Sequence, residues 1–146
     1  MKYVEDFVMM LFKHRDKEKI NLEIRSSEIL DLNGIDPVLV SFIPKGLGEL
    51  YSLVNGFKIT EPRKFELLEP SKLILLDNRY LVFAVFNETE MVCFDTDQLN
   101  DASEFNIISY DNKFLITLTF GSFLMNKVWA WVNRGRKVWD KEKYPE

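Results

Sequence analysis

Apolar residues near the start of the chain have the spacing of an amphipathic helix. They recur at intervals of three and four positions from Val4 to Phe12, which places them along one side of a helix over residues 3–19. Cationic residues end this segment, where they meet the negative end of the helix dipole. A second helix is predicted to begin at Pro44, whose missing N–H costs nothing there, and to stop at Gly56 in a left-handed conformation.

Several later segments have the short apolar patterns of β-strands. Residues 20–24 alternate between apolar and polar positions, whereas residues 38–43 are mostly apolar and fit either a strand or a packed loop. Residues 72–77 are predicted to form a strand or a short helix. Residues 80–86 are almost entirely apolar, so we expect this strand in the middle of the sheet with both faces covered. The remaining predicted strands are 65–68, 91–94 and 105–110.

The last apolar region predicts a long helix over residues 115–133. Its core candidates are Leu118, Phe123, Leu124, Val128, Trp129 and Val132. We expect Trp139 and Tyr144 to hold the charged tail, residues 134–146, against the body of the protein. Helices at both ends of a group of antiparallel strands are typical of the α+β class, here as a single domain over residues 1–146.

Length and composition are those of an ordinary globular protein. Hydrophobic residues make up 47% of the chain and charged residues 29%, which is enough apolar surface to form a core. The one cysteine, Cys93, has no internal partner for a disulfide, and acidic residues at Glu5 and Asp6 argue against a secretory signal. No apolar run reaches the roughly 20 residues that span a bilayer. We therefore expect a soluble cytoplasmic protein that does not act at a membrane.

Charge is distributed unevenly along the chain, whose net charge is −4. Residues 61–111 contain eleven acidic and four basic residues, and residues 80–112 contain no lysine or arginine. An acidic surface disfavours nucleic acid as a ligand but attracts a basic protein and accelerates its association. Polar loops that only maintain solubility are the alternative. The candidate partner-binding residues, expected in a hairpin turn and in a loop after Phe94, are Glu88, Glu90, Asp95, Asp97, Asp101 and Glu104.

No combination of side chains has the pattern of a catalytic, cofactor or metal site. His14, the only histidine, lies among lysines and arginines and is expected on the surface without an orienting partner. Cys93 has apolar neighbours and is expected to be buried and unreactive. The acidic residues after Phe94 lack the glycine and the glutamate that a calcium loop requires. The sequence thus predicts a protein that binds rather than catalyses.

The tryptophans are candidates for a second contact surface, since tryptophan is frequent at interface hot spots. Trp129 and Trp131 differ by two positions and would face different directions on a helix, so one is expected in the core and the other partly exposed. Trp131 and Trp139 lie near basic residues in the sequence and are the proposed pair of contacts. The alternative is that the tail simply packs on the domain.

A resemblance to a known family is carried by residues 43–57, which read IPKGLGELYSLVNGF. This segment resembles the signature of the SUKH superfamily, which contains fungal cell-wall synthesis regulators and bacterial immunity proteins of toxin systems. Residues 81–86 and 92–95 resemble the central hairpin of that family, whose second strand ends in an aspartate. Residues 105–110 and the following helix resemble its last strand and closing helix, so the resemblance covers residues 40–130.

The resemblance implies an α+β fold in which a curved, mostly antiparallel sheet is flanked by N-terminal and C-terminal helices. It also implies a binding role, most often the neutralisation of a cognate bacterial toxin. Toxic nucleases are commonly basic, so an acidic inhibitor would occlude such a toxin sterically. Two alternatives stay open: a regulatory scaffold of the same fold, and a small-ligand-binding protein or enzyme with a pocket on the sheet.

Overall fold

The structure is a computed structural model that describes residues 1–26 and 35–140. Its helices are α1 (Lys2–Asp16), α2 (Pro37–Val40), α3 (Lys45–Leu53), α4 (Phe120–Ser122) and α5 (Val128–Arg134). Its strands are β1 (Asn21–Ser26), β2 (Val54–Glu61), β3 (Phe65–Leu67), β4 (Ile74–Leu76), β5 (Tyr80–Phe86), β6 (Glu90–Leu99), β7 (Phe105–Ser109) and β8 (Leu115–Thr117). A 3₁₀ turn at Pro70–Lys72 precedes β4, and a π-helical segment at Phe123–Lys127 joins α4 to α5. Within these described ranges, no helix combines the length and the apolar character needed to cross a membrane.

The described strands form one open antiparallel sheet with the order β1-β2-β3-β5-β6-β7-β8. β3 pairs with residues 84–86 of β5, and β4 pairs with residues 80–82, so both lie along the edge of β5 that faces away from β6. Helices and an antiparallel sheet together confirm the predicted α+β class. The structure also confirms the first helix and, within two residues at either end, the predicted strands at 20–24, 65–68, 80–86 and 105–110, and it resolves residues 72–77 in favour of a strand.

The two faces of the sheet differ in what they carry. The inner face packs against α1, α3 and the C-terminal helices around a core rich in aromatic residues. Phe83 on β5 stacks on Phe94 of β6 with ring centroids 4.1 Å apart and meets Phe123 of the π-helical segment at 5.3 Å. The outer face carries a smaller apolar cluster that includes Val82 and Cys93. β5, and β6 over residues 91–94, therefore have apolar side chains on both faces, which explains the apolar runs in their sequences.

Helix α3 is held to the sheet by a buried tyrosine. Tyr51 is fully buried and its hydroxyl donates a hydrogen bond to the carbonyl oxygen of Leu68 at 2.6 Å. Burial, and secondarily the charge of Glu69, raise the pKa of Tyr51, so the hydroxyl keeps its proton and stays a donor. The tyrosine of the segment 43–57 thus has a structural role.

The predicted helix stop at Gly56 is wrong. Helix α3 ends at Leu53, and the following residues form β2, a strand that the sequence pattern did not predict. Gly56 lies inside β2 with a φ of +103°, and a Cβ atom there would be 2.9 Å from the main chain of Glu69. The glycine therefore allows two chain segments to approach closely rather than ending a helix.

The segment 38–43 is not a strand, because its beginning is capped as a helix. Asp36 accepts a hydrogen bond from the Val38 N–H at 3.0 Å, and Pro37 fits the first helical turn, where no N–H is needed. The result is the short helix α2. Side-chain capping outweighs the apolar pattern here, which by itself does not distinguish a strand from a short helix.

The predicted helix over residues 115–133 begins instead as strand β8. The chain becomes helical only after Thr119, whose hydroxyl accepts a hydrogen bond from the Ser122 N–H at 3.1 Å. Leu118 lies between the two elements and is 49% exposed, so its assignment to the core is wrong. The other core candidates of this region are confirmed as buried: Phe123, Leu124, Val128, Trp129 and Val132.

All three tryptophans are buried, which contradicts the prediction of a partly exposed one. Trp139 stacks on Phe86 with ring centroids 5.2 Å apart and meets Trp131 edge-on at 4.8 Å. Trp131 donates its indole N–H to the carbonyl oxygen of Lys64 at 2.8 Å. Trp139 therefore holds the described part of the tail, residues 134–140, against the core as expected, and neither side chain is available as a second contact surface. Tyr144 lies outside the described residues.

Candidate protein-binding surface

The predicted acidic residues lie on β6 and in the turns that flank it. In chain order they are Glu88 in the β5–β6 turn, Glu90, Asp95 and Asp97 in β6, and Asp101 and Glu104 between β6 and β7. The prediction of a loop after Phe94 is wrong, because β6 continues to Leu99. Asp95 pairs with Tyr80 of β5, and Leu99 pairs with β7, so backbone pairing on either side extends the strand.

These carboxylates do not form one compact patch. A strand rises about 3.3 Å per residue, so Glu90 and Asp97 are separated by roughly 20 Å along β6. Cys93 belongs to the outer apolar cluster, and strand alternation therefore places Asp95 on the outer face and Glu90 on the opposite one. The structure divides the predicted acidic surface into one end near the β5–β6 turn and another near the β6–β7 turn.

Glu88 is paired with a lysine from the β2–β3 connection. Its Oε1 lies 2.6 Å from Nζ of Lys64, and both side chains are exposed. This hydrogen bond, together with the lysine charge, lowers the pKa of Glu88 below its ordinary value. The turn itself holds Asn87 and Glu88 at positive φ angles of 52° and 68°, so it reaches a left-handed conformation without glycine. Much of the Glu88 charge is thus neutralised within the molecule.

Asp95 is paired more closely still. Arg79 donates Nε to Oδ1 at 2.7 Å and Nη2 to Oδ2 at 2.8 Å, a bidentate arrangement. These hydrogen bonds lower the pKa of Asp95. Arg79 directly precedes β5 and lies next to Asp95 because Tyr80 and Asp95 are paired across the two strands. Arg79, which neutralises Asp95, therefore lies directly before residues 80–112, the segment without lysine or arginine.

Glu104 has an internal contact. Its Oε1 accepts a hydrogen bond from the N–H of Phe120 at 3.0 Å. Phe120 is the first residue of α4, whose early N–H groups lack partners within the helix. Glu104 therefore joins the β6–β7 connection to the C-terminal helical region.

Three carboxylates of the predicted set keep most of their charge available. In the described part of the chain, no lysine or arginine forms an ion pair with Glu90 or Asp101. Asp97 is exposed, and its Oδ2 lies 3.9 Å from a nitrogen of Arg79 that already binds Asp95. Asp97 and Asp101 lie at the same end of β6, which makes this end the more strongly negative surface.

We call residues 97–105 the β6–β7 arm. The pairing of β6 with β7 becomes irregular between Asp95 and Leu99, which is the behaviour of a β-bulge. All residues from Asp97 to Leu99 are exposed, and Leu99 is 59% exposed despite its apolar side chain. The end of β6 is therefore exposed to solvent, although Leu99 still pairs with Phe105 of β7.

Asn100 organises this arm through its side-chain amide. Its nitrogen donates to Oδ1 of Asn106 at 2.9 Å and to the carbonyl oxygen of Leu118 at 2.8 Å. Its oxygen accepts from the N–H groups of Ala102 at 2.8 Å and Glu104 at 3.3 Å. An asparagine amide offers two donors and an acceptor with two lone pairs, so its hydrogen-bonding capacity is filled. Sequence reasoning missed this residue, although asparagine followed by small polar residues is a turn signal.

The two candidate reactive residues have different environments. Cys93 is fully buried, as predicted, and burial raises its pKa to about 12, which keeps the thiol protonated and unreactive at neutral pH. His14 is not the free surface residue that was predicted. Its ring stacks on Trp129 with centroids 4.7 Å apart, and its Nδ1 lies 2.9 Å from the carbonyl oxygen of Met10.

Two shallow grooves lie side by side on the outer face. One has a volume of about 260 Å³ with Gly56 in its lining, and the other has a volume of about 240 Å³ beside Val85. Both are lined by Lys58 and Glu66, so they share charged walls. No group of three histidine, cysteine, aspartate or glutamate side chains within the described ranges is arranged to hold a metal ion.

No protein-family model, curated protein or solved structure matches this chain. The resemblance of residues 43–57 to the SUKH superfamily stays a prediction. Function is therefore inferred from the charges, burial and hydrogen bonds described above.

Proposed function

We propose that this chain is a non-catalytic, cytoplasmic protein-binding module, and specifically an immunity protein of the SUKH type that neutralises a cognate toxin. The supporting observation is the negative end of β6, where Asp97 and Asp101 are exposed. Among the described residues Asp101 forms no ion pair, and Asp97 has only a 3.9 Å contact with Arg79, which already binds Asp95. Glu90 at the other end of the strand is a further candidate contact. A basic toxin, such as a nuclease, is the partner that this charge fits.

The proposed mechanism is steric occlusion without turnover. Exposed carboxylates attract a basic partner over distances of about 10 Å and raise the association rate, but each ion pair adds little affinity. Most of the affinity must then come from apolar contacts within the same surface. The carboxylates at Glu88 and Asp95 contribute less to steering, because Lys64 and Arg79 already neutralise them.

The direct test is neutralisation of a protein encoded beside this chain. We expect co-expression of the chain to restore growth of cells that produce the neighbouring protein, and the two proteins to co-purify as a stable complex. Co-purification without restored growth would favour the regulatory scaffold instead. A toxic neighbour that neither binds the chain nor loses its toxicity would contradict the proposal.

The electrostatic part is tested by charge reversal. Asp97→Lys combined with Asp101→Lys should slow association with the partner by about tenfold at low salt, and the difference should shrink as salt screens the charges. The matched control is Glu5→Lys combined with Asp16→Lys, which changes the net charge equally at exposed positions on α1. Association rates are measured by surface plasmon resonance. Equal rates for both double variants would show that net charge, not this surface, controls association.

The outer-face grooves favour a second candidate function, the binding of a small charged ligand. Lys58 and Glu66 line both grooves and would contact opposite charges on one zwitterionic molecule. A thermal-shift screen of charged metabolites tests this function. It requires a saturable increase in melting temperature that disappears in Lys58→Met combined with Glu66→Gln.

A further inference from the structure

We infer that the β6–β7 arm and Leu118 form a preorganised docking surface for a protein with a basic rim around an apolar depression. The inference rests on the proposed function, because it takes the partner to be a protein. Leu99 and Leu118 supply the affinity, Asn100 positions them, and the neighbouring aspartates select a basic partner.

The apolar centre of this surface consists of Leu99 and Leu118. They are 59% and 49% exposed, whereas most large apolar side chains of the described chain are buried. Asn100 directly follows Leu99 and donates to the carbonyl oxygen of Leu118 at 2.8 Å, so the two leucines lie on chain segments that are in contact. Two exposed leucines on adjoining segments offer apolar area that a partner can remove from water.

The charge beside these leucines selects the partner. Asp97 precedes Leu99 by two positions and Asp101 follows it by two, and both carboxylates are exposed. Of these two carboxylates, Arg79 approaches Asp97 at 3.9 Å and does not pair with Asp101. Its guanidinium is already bound to Asp95. The negative charge of the arm is therefore directed at solvent, and a basic rim complements it, whereas an acidic one would be repelled.

The arm is held in one shape before any partner binds. The Asn100 N–H donates to the carbonyl oxygen of Glu104 at 2.8 Å, and the Ser103 N–H donates to that of Asn100 at 2.9 Å. The filled side-chain amide of Asn100 and the contact from Glu104 to Phe120 tie the arm to the following elements. A surface that is already ordered loses less conformational entropy on binding. Asn100 is therefore a positioning residue of the docking surface.

The surface is tested with a defined probe on the full chain. The probe is a short peptide of alternating lysine and leucine, and the comparison peptides are all-lysine and alternating glutamate–leucine. Titration into isotopically labelled protein should shift the amide signals of residues 97–105 and 115–118 with the lysine–leucine peptide. The all-lysine peptide should bind at least about tenfold more weakly, because it lacks apolar contacts.

Two variants assign the effect to the leucines. Leu99→Ser combined with Leu118→Ser should weaken binding of the lysine–leucine peptide by about tenfold or more while leaving the other amide signals in place. The matched control is Leu53→Ser, an exposed leucine at the end of α3, which should leave the affinity unchanged. Equal effects of the double variant and the control, or shifts spread over other acidic parts of the molecule, would overturn the inference.

Asn100→Ala tests the positioning role. It should accelerate hydrogen exchange at the Ala102 and Glu104 amides, which lose their acceptor, and weaken peptide binding although both leucines are retained. Faster exchange with unchanged affinity would refute the positioning role.

Self-association is the remaining outcome, and sedimentation velocity measures it. Concentration-dependent dimers that disappear in the leucine double variant would assign the surface to a second copy of the chain and refute the basic partner. If the leucine variants neutralised a toxin as well as the native protein does, this inference would be refuted but the proposed function would stand. If the peptide bound at the β6–β7 arm but no toxin partner existed, the docking surface would stand and the proposed function would be refuted.

Discussion

Two aspartates separated by one residue on β6 illustrate how position decides the role of a carboxylate. Asp95 is paired across the strands with the residue after Arg79 and accepts two hydrogen bonds from its guanidinium. Asp97 follows the onset of the bulge and has only a 3.9 Å contact with the same arginine. The first carboxylate is therefore used within the molecule, and the second is available to a partner.

Cys93 provides a prediction at the residue scale. Burial raises its pKa from 9.0 to about 12, so the unfolded thiol ionises at a pH where the folded thiol stays protonated. A raised pKa contributes stability that is complete below pH 9 and is lost as the pH rises towards 12. We expect the free energy of unfolding of the native protein to fall over this window more steeply than that of Cys93→Ala, by at most about 1.4 kcal/mol per pH unit.

Urea denaturation followed by circular dichroism at several pH values measures this difference. Comparing slopes rather than absolute stabilities cancels the titration of tyrosines and lysines shared by both proteins. It also separates the proton effect from the cavity that the alanine leaves, which is independent of pH. Parallel slopes between pH 9 and 12 would show that the thiol ionises equally in both states.

At the scale of elements, the apolar pattern misplaced the beginning of the last helix and the end of α3. Side-chain capping by Thr119 and the close approach of two chain segments at Gly56 explain the observed boundaries. The apolar run that predicted one helix from residue 115 contains β8, because Thr119 caps a helix that starts only at Phe120. Helix α1 could be predicted because its apolar residues recur at helical spacing over several turns. Strand β5 could be predicted because its residues are almost all apolar. β2 could not, because its Asn–Gly pair looks like a helix stop and its extended conformation depends on pairing with β1 and β3.

Two glycines in neighbouring elements provide a matched prediction. Gly56→Ala should lower the free energy of unfolding by about 2 kcal/mol or more, because its φ is +103° and the new Cβ would meet the main chain at 2.9 Å. Gly48→Ala should raise it by about 0.5–1 kcal/mol, because Gly48 lies inside α3 with no atom within 4 Å of a new Cβ. Thermal and urea unfolding measure both effects. If both substitutions changed the free energy of unfolding by similar amounts in the same direction, the assigned role of Gly56 would be contradicted.

At the scale of the whole molecule, the segment after α5 closes the aromatic core. Trp139 packs on Phe86 of the central strand β5, and Trp131 donates to the Lys64 carbonyl oxygen in the β2–β3 connection. Arg63 of the same connection donates to the carbonyl oxygen of Val132 at 2.9 Å. The C-terminal part of the described chain is thereby held against β5 and the β2–β3 connection.

Removal of this closing contact should destabilise the whole domain. We expect Trp139→Ala to lower the free energy of unfolding by about 3–5 kcal/mol, since it empties a buried aromatic site against Phe86 and Trp131. Lys137→Ala, an exposed position in the same segment, should change it by at most about 0.5 kcal/mol. Denaturant unfolding followed by tryptophan fluorescence and circular dichroism measures both. If Trp139→Ala lowered the free energy of unfolding as little as Lys137→Ala, the segment after α5 would not be part of the cooperative core.

The sequence by itself determined the α+β class, the first helix, the central strand and the burial of Cys93, because periodicity and apolar runs are local properties of the chain. It also located the acidic region, since the absence of lysine and arginine over residues 80–112 is visible without a fold. Only the tertiary structure decided which carboxylates stay available, because Arg79, Lys64 and the Phe120 N–H reach them from other elements. The exposure of Leu99 and Leu118 was decided in the same way, since burial depends on which segments pack above a residue rather than on its own side chain.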